Sequence, residues 1–253
     1  MHMIKSVSLL GRDRIIGFVW QHLLLLVSLY FMTLGVALCV RSNLGSSVIS
    51  ALPMAFSIAG TQNLVPPLTI GGYTNVMNII LVLGQILVLR KRFEKVQLFQ
   101  LIIGFVFGAL IDVNMWATSF VDCSTMMQQT VAQFVGCTVM GIGIAFEVRC
   151  GSVTMPGEGL PVAISRVTGC PFPKIKIAVD VSLVVLSVVS CYMFWGAWQW
   201  NIIGPGTLFA MFYVGYIVKL LGGHLGWFDR LLCRPGMRRY VFGLARYIYH
   251  RFK

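Results

Sequence analysis

The stretches GVALCVR, residues 35–41, and GIAFEVR, residues 143–149, carry one pattern, with glycine, alanine, valine and arginine at the same places in both. Each is apolar until it stops on a charge. Shifting the chain on itself by 108 positions superposes them, and the register continues without a gap. Leu52, Pro53, Ala55 and Ser57 then fall on Leu160, Pro161, Ala163 and Ser165. A further apolar run, led by Asn78 in one half and Asp180 in the other, follows in each. Apolar residues match by chance, but a shared arginine and a shared Leu-Pro at fixed spacing mark a duplication.

Composition says where such a chain lives. It is 57% hydrophobic and only 11% charged, against roughly 25% charged residues in soluble domains. Too little polar surface remains to cover a water-soluble core, so the chain reads as an integral membrane protein. Six runs approach the ~20 apolar residues that a spanning helix needs: Ile15–Val40, Tyr73–Leu89, Val96–Val121, Met127–Val148, Ile175–Ala197 and Asn201–Leu221. Two others, Ser46–Ala59 and Gly159–Val167, are too short. The first run exceeds a signal-peptide core and is expected to stay as a span.

The net charge of +12 would suggest nucleic acid in a soluble protein. Here the basic residues sit between apolar runs and in the tail, as the positive-inside bias requires. Lys5, Arg12 and Arg14 precede the first span. Arg90, Lys91, Arg92 and Lys95 follow the second, and Arg149, Arg166, Lys174 and Lys176 follow the fourth. Six spans put all these clusters on one side, with both termini cytoplasmic. If the short runs also spanned, RKRFEK would move outside. They therefore read as re-entrant or interfacial half-helices. Trp116, Phe120, Trp195, Trp198 and Trp200 mark outer ends of spans, and Trp20 and Trp227 mark inner ends.

The expected fold is thus an all-α, polytopic helix bundle of two repeats. Residues 1–14 form a cytoplasmic N-terminus, 15–126 the first repeat, 127–228 the second and 229–253 a basic tail. Three spans per repeat is an odd number, so the halves insert with opposite orientation, the inverted plan of many secondary transporters. From Gly236 onward, Arg239, Arg246, His250 and Lys253 share one helical face and Val241, Leu244, Ile248 and Phe252 another. Such a helix lies on anionic lipid, unless the tail is simply disordered. The partners expected are the bilayer, anionic lipids at the tail and a small solute; nucleic acid is not among them. The seven cysteines form no C-x-x-C pair and behave as small hydrophobes, with no disulfide framework, metal or cofactor indicated.

The charges suggest a site. Arg41 and Arg149 either snorkel to the headgroups or line a pathway. The connections after them, SNLGSS and CGSVTMPGEG, are Gly- and Ser-rich, and irregular backbone at membrane depth is tolerated only against protein or a water-filled cavity. Ser46 and Ser47 can cap the half-helix that follows. A helix N-terminus beside an arginine makes an anion-friendly spot, so an anionic solute group fits. Among acids in the spans, Asp112 lies in the third. Asp180 lies in the fifth, four residues after Lys176, so the two can pair along one face. That pair either neutralises itself for stability or relays a proton or ion. Glu147 and Lys219 lie near span ends and can snorkel. Glu158, between two glycines at the entry to the second half-helix, is the leading acid candidate. Gly104 and Gly108 form a G-x-x-x-G that admits a close neighbour.

Three motifs in order resemble a known family. PGEGL (residues 156–160) is similar to Pro-x-Asp-Gly-Leu, Lys176 with Asp180 to a basic-x-x-x-acidic motif, and GPGTLFA (residues 204–210) to a Gly-x-Gly-Thr segment that opens a final span. Together they resemble the YczE/YyaS/YitT-like family of bacterial membrane proteins, over roughly Ile15 to Leu221. Glu158 replaces the aspartate and keeps its charge; Gly157 stands where a basic residue is frequent, so any ion pair formed there in relatives is lost. The resemblance implies an inner-membrane protein for which transport is suspected. With it, Arg41, Ser46, Arg149, Glu158 and Thr207 are candidate solute ligands, and Asp112, Lys176 and Asp180 candidate relay or pairing residues. A small-solute transporter or exporter is the leading function. The alternatives are an accessory or assembly protein without its own solute, and an intramembrane enzyme built on Ser46 or Ser47. Against the last, the histidines lie at the other side or in the termini, and no H-E-x-x-H motif is present.

Overall fold

The computed structural model describes the backbone of residues 2–150, 154–222 and 224–232, and side chains from residue 15 onward within those ranges. The amphipathic helix expected after Gly236, the side chains of Lys5, Arg12 and Arg14, and Gly151–Val153 of the second connection lie outside them. The described elements are helices: α1 (His2–Arg41), α2 (Val48–Thr61), α3 (Ile70–Leu89), α4 (Phe99–Ala117), α5 (Met126–Cys150), α6 (Pro156–Thr168), α7 (Phe172–Trp195), α8 (Pro205–Gly222) and α9 (Gly226–Leu232). Six of them are long and apolar enough to cross a membrane, which makes the protein a multi-pass membrane helix bundle. Large apolar side chains such as Leu87, Phe105, Val185, Met193 and Phe212 face outward. That surface suits lipid rather than water.

Some boundaries differ from the sequence reading. α1 begins well before Ile15, because nothing in residues 2–14 breaks a helix. α4 stops at Ala117 instead of Val121, where Thr118 turns the chain. α8 starts at Pro205 instead of Asn201, since proline at the first helical position suits its fixed φ. The residues released, Asn201–Gly204, form a turn whose carbonyls are used elsewhere. No disulfide occurs among the described residues: Cys39, Cys123, Cys137, Cys150 and Cys191 are buried thiols, and Cys170 is exposed.

Packing follows the repeat. α1 and α5 run antiparallel along each other and form the central seam. A Cβ built on Gly35 would meet Met140 backbone nitrogen at 2.5 Å and Gly136 oxygen at 2.5 Å. A Cβ on Gly143 would meet Met32 nitrogen at 2.6 Å and Ser28 oxygen at 2.8 Å. Ser28 and Met32 are the residues that the 108-position shift pairs with Gly136 and Met140. The two glycines therefore make the same contact twice, once in each direction. Around the seam, α4 packs on α1 as α8 packs on α5, and α2 packs on α7 as α6 packs on α3. The short helices thus cross between repeats and lie among the spans. One contact breaks the symmetry: α3 and α4 pack along each other, whereas α7 rests on α2 and α6 and α8 rests on α5.

The two half-helices meet N-terminus to N-terminus. A Cβ on Gly157 would lie 3.5 Å from Ile49 Cδ1. Leu52 and Leu160, repeat mates, share one apolar cluster with Met77 and Leu81 of α3 and Val179 and Leu183 of α7. From there α2 runs toward the bundle end that carries Trp195, which donates to Gln62 at 2.7 Å. α6 runs toward the opposite end, which carries the basic α3–α4 turn.

Candidate functional site

α6 begins with Pro156 and is preceded by Met155, whose side chain offers no acceptor for the first-turn N–H groups. α5 supplies one. Met155 N–H donates to Glu147 Oε1 at 3.4 Å, a long bond. Glu147 is 4% exposed, and its Oε2 has no hydrogen-bond partner among the described residues. Snorkelling, expected for this residue, is overturned: the tight α1–α5 seam keeps α5 inside the protein up to Cys150. Glu158 sits in the first turn of α6, where a carboxylate complements the helix dipole. On α7, Lys176 Nζ donates to Asp180 Oδ1 at 2.8 Å.

These four charges form one group. Glu147 feels the charges of Glu158 and Lys176, and Glu158 those of Lys176 and Asp180. Burial pushes the Glu158 carboxyl above its usual range; Lys176 opposes the shift and Asp180 adds to it. Two amides close the far side of the same turn. Gln100 Nε2 donates to Gln85 Oε1 at 2.8 Å, and Gln85 Nε2 to the Pro156 carbonyl at 3.3 Å. Both are fully buried. A Cβ on Gly159 would stand 2.7 Å from Gln100 Oε1, so the amides reach α6 because residue 159 has no side chain. Gln100 Oε1 has no partner among the described residues.

The matching end of α2 is neutral. The 108-position shift places Glu158 on Ser50 and Glu147 on Cys39, and the pairing of Asp180 with Asn78 places Lys176 on Thr74. Ser47 holds the N-cap position of α2, but its hydroxyl makes no capping bond. The expectation of a serine cap fails there because Ser46 and Ser47 both turn their hydroxyls to Ser50 Oγ, at 2.5 and 2.6 Å. Ser46 N–H donates to the Ile202 carbonyl at 3.0 Å, which Thr207 Oγ1 also reaches at 3.5 Å. The structure therefore brings Ser46 and Thr207 together, at the N-terminal end of α2 rather than beside Glu158. Nearby, Gln133 accepts from Ser42 Oγ and donates to the Gly206 carbonyl, at 2.7 and 2.8 Å.

The repeat arginines have symmetric tasks. Arg41 donates to the Met115 carbonyl, in the last turn of α4, at 2.8 Å. Arg149 donates to the carbonyl of Gly222, the last residue of α8, and forms an ion pair with Asp229 of α9. Cations at helix C-termini are favourable, so each arginine ties the central helix of its repeat to the end of the last one. Asp112 is also engaged structurally. It accepts from Thr69 Oγ1 at 2.7 Å and from Gly71 N–H at 2.9 Å, holding the N-terminus of α3. It therefore stands apart from the Lys176–Asp180 pair. Asp112→Asn should weaken that cap by about 1 kcal/mol, seen as a small fall in the thermal midpoint of the purified protein.

Sequence reasoning found Glu158, Lys176 and Asp180 and missed Glu147, although Glu147 lies in the repeated stretch itself. The signal was the mismatch with Cys39: an acid at a position where its mate is apolar. Among the described residues no group of three or more His, Cys, Asp or Glu is arranged to hold a metal. The model of a family of unknown function, DUF6198, matches residues 19–222, and the chain belongs to that family. No curated protein and no solved structure matches it.

Proposed function

We propose that this DUF6198 member is a small-solute transporter or exporter, whose two repeats enclose a central site where α2 and α6 meet. The observation that carries the reading is that meeting. Two half-helices from opposite ends of a pseudo-symmetric bundle approach each other at Ile49 and Gly157, with buried polar side chains at both N-termini. Inverted repeats with broken helices at mid-depth are the architecture of alternating access. The likeness to the YczE/YyaS/YitT-like family belongs to the same proposal, since its three motifs supply Glu158 in α6, the Lys176–Asp180 pair in α7 and Thr207 at the start of α8. So does the placement in a bacterial inner membrane, with the basic α3–α4 turn on the cytoplasmic side. We read the protein as a carrier rather than an enzyme: the Ser46 and Ser47 hydroxyls are bonded to Ser50.

The test is two-sided access. A single cysteine at Ile49, in a protein otherwise free of cysteine, should react with a membrane-impermeant maleimide added to either side of sealed vesicles. An exchanging carrier exposes this position to each side in turn. Labelling from neither side under any solute condition would reject the carrier reading and favour an accessory protein.

A further inference from the structure

We propose that Glu147, Glu158 and Asp180, with Lys176 as internal counter-ion, form a binding site for a small monovalent cation of the ammonium class. The inference rests on the transport reading for its purpose, but the site stands on its own geometry. Glu147 and Glu158 lie within electrostatic reach of one ammonium group, Lys176, which is already paired to Asp180, so a bound cation takes the place of a proton on these acids. The positive end of α6, where an anion would settle, is already filled by Glu147 and Glu158. The two repeat arginines are bound to helix carbonyls at opposite ends of the bundle. An anionic solute would find these acids in its way; a cation would be held by them.

Two open acceptors show what kind of cation fits. Glu147 Oε2 and Gln100 Oε1 are both buried and lack partners among the described residues, and both side chains flank the first turn of α6. Leaving buried acceptors unsatisfied is costly. A ligand with N–H donors and one positive charge meets such an acceptor and neutralises a carboxylate, through charge-assisted bonds of ~2.7–2.9 Å. A bare metal ion wants several oxygens converging on one point, and no such set is arranged among the described residues.

The experiment uses the full chain in detergent. Thermal unfolding is followed in methylammonium or ethylammonium chloride, and in sodium chloride, potassium chloride and sodium acetate at equal ionic strength. A saturable rise in midpoint with the alkylammonium ions alone is expected. Glu147→Gln and Glu158→Gln should each weaken apparent affinity by about tenfold or more, the loss of one charge-assisted bond, while Asp112→Asn should leave it intact. An equal response to all salts, a rise with acetate alone, or a shift that survives in both glutamine variants overturns the site. If those variants do not fold, the wild type still decides. Dicyclohexylcarbodiimide should modify Glu147 or Glu158, read by mass spectrometry, and methylammonium should protect them; labelling without protection rejects the proposal. Flux in proteoliposomes separates the two readings. Saturable methylammonium binding without flux keeps the site and removes the carrier, whereas flux of an anion without ammonium binding does the reverse.

Discussion

Gly143→Leu should destabilise the protein by at least about 3 kcal/mol, the upper part of the range for overpacking a tight interface, and should sharply reduce the yield of monodisperse protein. The added Cβ alone would stand 2.6 Å from the Met32 backbone nitrogen, and backbone cannot rotate aside as a side-chain tip can. α1 and α5 would have to separate along their whole seam. Membrane helices gain stability from close van der Waals contact rather than from hydrophobic transfer, so separation removes what holds the pair. Gly35→Leu should act alike, because it makes the mirrored contact. Gly215→Ala on α8 is the control. Its new methyl group meets nothing within 4 Å, and alanine favours the helix by up to ~1 kcal/mol over glycine. Equilibrium unfolding in mixed micelles would measure all three; equal midpoints for Gly143→Leu and the native protein would refute the seam.

Lys176→Met should cost about 3 kcal/mol, because removing one partner of a largely buried pair leaves the other charge uncompensated. The side chains of Lys176 and Asp180 are 22% and 18% exposed, which places the estimate at the low end of the buried range. Lys176 is also the positive charge that Glu147 and Glu158 feel, so its loss burdens all three acids. The double variant Lys176→Met/Asp180→Asn should recover a large part of the stability, since both members of the pair then become neutral. A double-mutant cycle reads the coupling directly. If Lys176→Met unfolds like the native protein, the pair has no structural weight.

Architecture was legible in the sequence to a degree that the site was not. The spans and the inverted plan follow from run length, charge placement and the repeat of 35–41 in 143–149, all of which are properties of the one-dimensional chain. Whether a charge on a span points into lipid headgroups or into protein depends on how far a neighbouring helix extends beside it. That is why Glu147 read as a snorkelling end residue. The same limit applied to Arg41 and Arg149: the repeat showed that they matter as a pair, but their acceptors lie in α4, α8 and α9, outside the repeated stretch. Asp112 belongs to this group too, since its partners Thr69 and Gly71 are about forty residues away. Ser46 and Thr207 come together only through packing between distant segments, the Ser46 N–H and the Thr207 hydroxyl reaching one carbonyl, that of Ile202.

The exchange of short helices between halves imposes an order on biogenesis. α6 emerges from the ribosome when its partner α3 is already complete, and can dock at once. α2 ends at Thr61, and its partner α7 begins at Phe172. At synthesis rates of ~5–20 residues per second, that flank of α2 waits roughly ten seconds for cover. α3 shields one side meanwhile, but Ala51, Met54 and Ala55, which end in the same cluster as Cys191 of α7, lack that helix's cover until it is made. A molecule whose finished form is nearly symmetric is therefore assembled asymmetrically, with its first half held unfinished until the second arrives.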